Sequence, residues 1–114
     1  MKESELVALP VFDRAATFDR LDGDESIFKE LINIFNEDSR KQIEQLRMAL
    51  ASNNPTDTYK LAHTLKGALG NIGAMRCHRI ALELEKEGKA GKCMPELLAR
   101  LEHEISVYLA QINK

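Results

Sequence analysis

The chain has no tryptophan, and among its 114 residues it carries only two cysteines, three prolines and six glycines. Two cysteines, Cys77 and Cys93, make neither a disulfide framework nor a zinc site. Reduced thiols are therefore expected, Cys77 as a small core residue and Cys93 in a loop. No stretch approaches the ~20 consecutive apolar residues needed to cross a bilayer. The first residues, Met1-Lys2-Glu3-Ser4-Glu5, are acidic and lack the apolar centre of a signal peptide. These absences lead us to expect a cytoplasmic protein without direct membrane contact. Net charge is only -2, with both signs interspersed, which gives no support for non-specific nucleic-acid binding, and none is expected. Sustained two-residue alternation of apolar and polar positions is also missing, which argues against a sheet.

What the chain does have is helix-forming sequence. Leu, Ala, Glu and Lys are abundant, and all favour helices. Residues 1–9 read as a flexible lead-in, and residues 10–114 as one domain with a modest core. Pro10 is placed to open a short helix carrying Val11, Phe12, Ala15, Ala16 and Phe18. Asp22-Gly23-Asp24 forms a turn that ends in an N-cap. From Asp24 to Ala51, apolar residues recur at three- and four-residue steps (Phe28, Leu31, Ile32, Phe35, Ile43, Leu46, Leu50). Asn54 and Pro55 have the cap and first-turn chemistry for a helix from Pro55 to Asn71. Gly73 suits a left-handed break, and a further helix is expected over Ala74–Glu87 with Gly88 as its terminator. Pro95 opens the last helix, with Leu98, Leu101, Ile105, Tyr108 and Ile112 at helical spacing. The fold expected is all-α, an antiparallel four-helix bundle with a short additional N-terminal helix.

The most unusual stretch is Tyr59–Met75, Y-K-L-A-H-T-L-K-G-A-L-G-N-I-G-A-M. On a helix His63, Lys66, Gly67 and Gly70 share one face, while Leu61, Leu65, Ala68 and Ile72 form an apolar stripe. Each interior glycine costs the helix about 1 kcal/mol relative to alanine. Two of them beside a histidine suggest that something must approach the helix closely. A nucleophilic histidine needs one ring nitrogen exposed and the other held as a donor by a neighbouring group. Other chemistries fail on spacing. No serine sits in a nucleophile elbow, and there is no P-loop, no G-x-G-x-x-G after a strand and no kinase signature. His63, His78 and His103 form no i, i+3 or i, i+4 pair, and the residues three before them are Lys60, Met75 and Arg100 rather than glutamates, so no metal is expected. His78 and His103 read as solvated surface residues. Lys86, Lys89 and Lys92 read as a solvated loop cluster with some capacity to attract an acidic partner.

With His63-Thr64-Leu65-Lys66-Gly67 in place and a later glycine at Gly73, the sequence resembles the histidine-containing phosphotransfer (HPt) domain family over roughly residues 10–112. Arg20-Leu21-Asp22-Gly23-Asp24 resembles the family's lead into its long second helix. Ala68 departs from the serine often found after the motif glycine, and Leu69 is larger than usual and is expected to point toward the core. Many members carry a glutamine that holds the inner ring nitrogen; here the matching position is Glu85. The resemblance implies a phosphorelay intermediate without an ATP site of its own, not an autonomous kinase. His63 would accept a phosphoryl group from a receiver-domain aspartyl phosphate and pass it to a second receiver. Lys66 would offset phosphate charge and Glu85 would accept from Nδ1–H. Gly67, Gly70, Phe12, Phe18, Ile27 and Ile34 would form the docking patch. The implied partners are response-regulator receiver domains and a hybrid sensor histidine kinase, with Mg²⁺ supplied by the receiver and the domain itself a monomer. Two alternatives stand beside this reading: a chemotaxis-kinase-type domain phosphorylated directly by an ATP-binding domain, and an unphosphorylated helical partner-binding module.

Overall fold

The computed structural model describes residues 1–113. Six helices follow in order: α1 Glu3–Val7, α2 Arg14–Arg20, α3 Glu25–Ala51, α4 Pro55–Asn71, α5 Met75–Lys89 and α6 Pro95–Ile112. There is no strand among the described residues, only one antiparallel bridge between Phe12 and Ala74. Helices α3 to α6 pack in sequence order around a common core, α4 against both α3 and α5, and α6 against both α5 and α3. The long α3 sets the size of the molecule. Its 27 residues at 1.5 Å each give about 40 Å, which matches the longest dimension of 41 Å.

Local chemistry explains the boundaries. The Asp24 carboxylate accepts from the backbone N–H groups of Ser26 and Ile27 and caps α3. The Asn54 side chain accepts from Asp57 N, with Pro55 in the first turn of α4; both caps fall where the sequence placed them. Ile72-Gly73-Ala74 closes the α4–α5 hairpin, with Gly73 at φ 71°. A Cβ at Gly73 would lie 2.1 Å from Thr17 Oγ1, so this turn must be bare for α2 to seat on it. The core is aliphatic: Leu46, Leu65, Leu69, Ile80, Leu84 and Leu101 are fully buried or nearly so, and each such side chain contributes roughly 1.5–3 kcal/mol. Leu69 does turn inward, as its position on α4 requires, and Cys77 is a core residue. Four of the six aromatic residues gather at one end. Phe12 stacks on Phe28 at 5.6 Å and meets Tyr108 edge-on at 5.5 Å, while Phe18 lies 5.0 Å from Phe28. The Tyr108 hydroxyl donates to the Ile72 carbonyl, which ties α6 to the same hairpin turn.

Four expectations change. Residues 1–9 are not a loose lead-in: they contain α1, and Leu6 is completely buried in the core. Arg76 donates to the carbonyls of Leu9 and Val7 at 2.8 and 3.1 Å, and Arg100 pairs with Glu3 at 2.7 Å. Pro10 does not open a helix. The segment from Val11 to Asp13 is extended, because Asp13 N donates to Gly73 O and Met75 N donates to Val11 O. Helix α2 begins only after Asp13, whose carboxylate caps Ala16 N. Gly88 does not terminate α5; the helix runs on to Lys89 and the left-handed residue is Gly91, at φ 82°. Gly88 instead lies buried against α4, where a Cβ would come within 2.8 Å of Tyr59 Cβ and 3.0 Å of Pro55 O. Finally, His78 is half-buried and hydrogen-bonded rather than solvated.

Candidate functional site

His63 sits two turns into α4, on the face that α3 and α5 leave open. Its side chain is 66% exposed, while Ala62 and Leu65, beside it in sequence, are completely buried. That contrast fixes the helix rotationally: the apolar stripe anchors α4, and the imidazole has nowhere to point but outward. Glu85, on the facing side of α5, has a side chain only 6% exposed. Its Oε2 lies 2.7 Å from His63 Nδ1 and its Oε1 lies 2.6 Å from Lys66 Nζ. Lys89, one turn further along α5, brings its Nζ to 3.7 Å from Oε2.

A carboxylate in this position could be expected to resist ionisation. Burial does push the Glu85 carboxyl up, but the hydrogen bonds from Lys66 and His63 and the charges of Lys66 and Lys89 outweigh it. The group is held below its ordinary range. An ionised carboxylate has only acceptor sites, so the proton between the two must belong to His63 Nδ1. In the neutral imidazole that leaves the lone pair on Nε2, the nitrogen that faces solvent. The arrangement presents an imidazole of defined tautomer at an open surface.

Lys66 is 22% exposed and is drawn inward onto Glu85. It retains further N–H donors beyond the one Glu85 takes, so it can still meet an anion arriving at Nε2. The local charge count is one carboxylate against two ammonium groups, which leaves the ring's surroundings positive. Gly67 is exposed and a Cβ there would meet nothing within 4 Å. Gly70 is different: a Cβ would approach His78 Nδ1 at 3.3 Å, so its bareness makes room for a neighbour within the domain.

The four apolar residues of the expected patch divide. Phe12 and Phe18 are half-buried in the aromatic cluster that joins α2 to α3, with the Arg14 guanidinium 4.4 Å above the Phe18 ring. Ile27 and Ile34 are 42% and 54% exposed on α3. Three groups near the site were not singled out as parts of it by sequence reasoning. Lys89 falls in the expected loop because Gly88 reads as a terminator; with α5 running to Lys89, its i, i+4 spacing from Glu85 is evident. His78 and Arg20 had no sequence signal, since each acts through a backbone carbonyl of α4 rather than through a motif.

The family model described as Hpt domain matches residues 30–111, from the first turns of α3 to the end of α6. The chain belongs to the Hpt domain family. Membership carries histidine phosphotransfer in two-component signalling as the general function. Among solved structures, this Hpt domain is similar to histidine-containing phosphotransfer protein B (HptB) from Pseudomonas aeruginosa PAO1. The TM-score is 0.79 at 25% identity, over 87% of this chain and 88% of that one. Comparison with curated proteins gives no match. No helix of this Hpt domain, among the described residues, is long and apolar enough to cross a membrane.

Proposed function

We propose that this Hpt domain is a phosphorelay intermediate in which His63 Nε2 carries the phosphoryl group. The observation that carries the reading is the His63–Glu85–Lys66 arrangement: an exposed imidazole whose Nδ1–H is held 2.7 Å from a buried carboxylate that also holds Lys66 at 2.6 Å. In the forward step the Nε2 lone pair attacks phosphorus and the bond from phosphorus to the receiver's aspartyl oxygen breaks. The electron pair of that bond leaves with the aspartate carboxylate. His63 keeps its Nδ1 proton throughout, so the ring becomes cationic as the N–P bond forms, and Glu85 lies where that charge develops. In the return step an aspartate oxygen of a second receiver attacks phosphorus and the Nε2 lone pair is restored. Lys66 meets the phosphoryl oxygens, and the bare surface at Gly67 lets the receiver come close.

The domain contributes a positioned nucleophile and local charge. The Mg²⁺ and the acceptor or donor aspartate belong to the receiver. The partners are response-regulator receivers and a hybrid sensor kinase, engaged in the cytoplasm by a monomeric domain. Ile27 and Ile34, exposed on α3, extend the docking surface beyond α4.

The test is a transfer experiment with a phosphorylated receiver. The wild-type domain should gain label that is labile in acid and stable in base, and His63→Gln should gain none. Label persisting in His63→Gln would refute the site, and failure of the wild-type domain to take label from any phosphorylated receiver would refute the relay.

A further inference from the structure

The turn of α4 that follows His63 is intrinsically weak. It contains Gly67 and Gly70 within one helical turn, and each glycine weakens the helix locally relative to alanine. It must nevertheless hold Lys66 in register with Glu85. Two side chains from other helices grip its carbonyls. His78, on α5, lies with Nδ1 3.1 Å from the Lys66 carbonyl oxygen. Arg20, at the end of α2, donates to the Gly70 carbonyl at 3.1 Å. A carbonyl can only accept, so His78 must carry its proton on Nδ1 and act as the donor. The His78 ring fills the space that a Cβ at residue 70 would enter, at 3.3 Å. Gly70 and His78 therefore fit as a pair: the missing side chain admits the ring, and the ring replaces the rigidity lost with the side chain.

We propose that His78 is a positioning residue for phosphotransfer, clamping the Lys66–Gly70 turn so that Lys66 stays seated between Glu85 and the incoming phosphoryl group. It touches neither the phosphoryl group nor His63, and works through the α4 backbone. Arg20, which is exposed, makes a second and weaker tie on the same turn. The inference rests on the phosphotransfer reading.

The test exploits the shapes of asparagine and glutamine, whose amide nitrogens imitate Nδ1 and Nε2 of histidine respectively. His78→Asn keeps a donor near the Lys66 carbonyl; His78→Gln and His78→Ala do not. Each variant is first checked for a cooperative thermal melt above the assay temperature, and transfer from a phosphorylated receiver is then measured over a range of receiver concentrations. A hydrogen bond of net ~1 kcal/mol predicts a roughly fivefold fall in the maximal transfer rate for His78→Gln and His78→Ala, with the half-saturating receiver concentration unchanged. His78→Asn should recover most of the rate. Backbone amide exchange over residues 67–71 should quicken in the Gln and Ala variants and return toward wild type in Asn. If His78→Ala transfers at the wild-type rate, or if Asn is as slow as Gln, the positioning role is wrong. If His78→Ala fails to fold, the Asn and Gln pair decides alone. All these variants retain His63 and should still accept label, so a failed clamp is distinguishable from a failed relay, which would show as no label on wild type.

Discussion

Replacing Gly67 by alanine should make the domain more stable and a poorer phosphotransfer partner. Gly67 lies inside α4, is exposed, and has open space where a Cβ would go. Inside the domain the substitution meets no obstacle, so the only intramolecular effect is the gain in helix propensity, about 1 kcal/mol. For a domain of this size that corresponds to a rise in melting temperature of about 4 °C. In the complex the outcome reverses. If a receiver packs onto the bare backbone beside His63, the added methyl overpacks that contact at a cost of ~1–3 kcal/mol. A cost of about 1.4 kcal/mol corresponds to a tenfold weaker complex. The half-saturating receiver concentration should rise by that order, while acceptance of phosphate at saturating receiver changes little. Thermal unfolding followed by circular dichroism gives the first quantity, and transfer kinetics over receiver concentration give the second. A stabilised variant with unchanged kinetics would show that the partner does not approach Gly67, and the docking argument would fall. A destabilised variant would show that the open space at Gly67 is filled from within the domain.

Gly88→Ala should do the opposite to the fold. The new Cβ would lie 2.8 Å from Tyr59 Cβ and 3.0 Å from backbone atoms of α4, a clash that exceeds the helix-propensity gain and predicts a net loss of about 1–2 kcal/mol in a urea melt; a gain would mean that the α4–α5 approach is looser than described. Glu85→Gln should cost stability in a pH-dependent way. The Glu85 carboxyl titrates lower in the folded than in the unfolded chain, so its contribution is present above the unfolded-state value and disappears as pH falls through the folded one. The variant should therefore be less stable than wild type at neutral pH and indistinguishable from it once the carboxylates are protonated, as urea melts at the two conditions would show; an equal deficit at both would remove ionisation from the explanation.

Much of the fold was legible because it follows from periodicity and capping. The apolar steps of α3, the Asn54-Pro55 start of α4 and the left-handed Gly73 are local signals, and the structure keeps each of them. His63 was legible for the same reason, since its exposed face and the glycines lie within one short stretch. The failures share a cause. A glycine in sequence marks either a backbone turn or a close approach, and only the neighbouring element decides between them. Gly88 was read as the first and is the second, which cut α5 short and hid Lys89 beside Glu85. Leu6 looked like part of a loose segment because a helix of five residues has no periodicity to detect. Val11 to Asp13 looked helical after Pro10 because nothing local reveals that their backbone pairs with residues 73–75. His78 gave no warning because its partner is a carbonyl, which any residue possesses.

The α4–α5 hairpin is pinned at both ends, by Gly73 in the turn and by Gly88 against Tyr59, with His63 and Glu85 facing each other in between. This makes its length a conserved quantity in the mechanical sense. Each residue added to or removed from α5 between Ala74 and Glu85 would rotate the carboxylate by about 100° around its helix axis. That would carry the carboxylate away from the imidazole while leaving the bundle's hydrophobic composition intact. The connections at Ser52–Asn54 and at Ala90–Met94 lie outside this interval and carry no such constraint on the site. Natural or designed variation in chain length is therefore expected to collect in those two loops rather than in the hairpin.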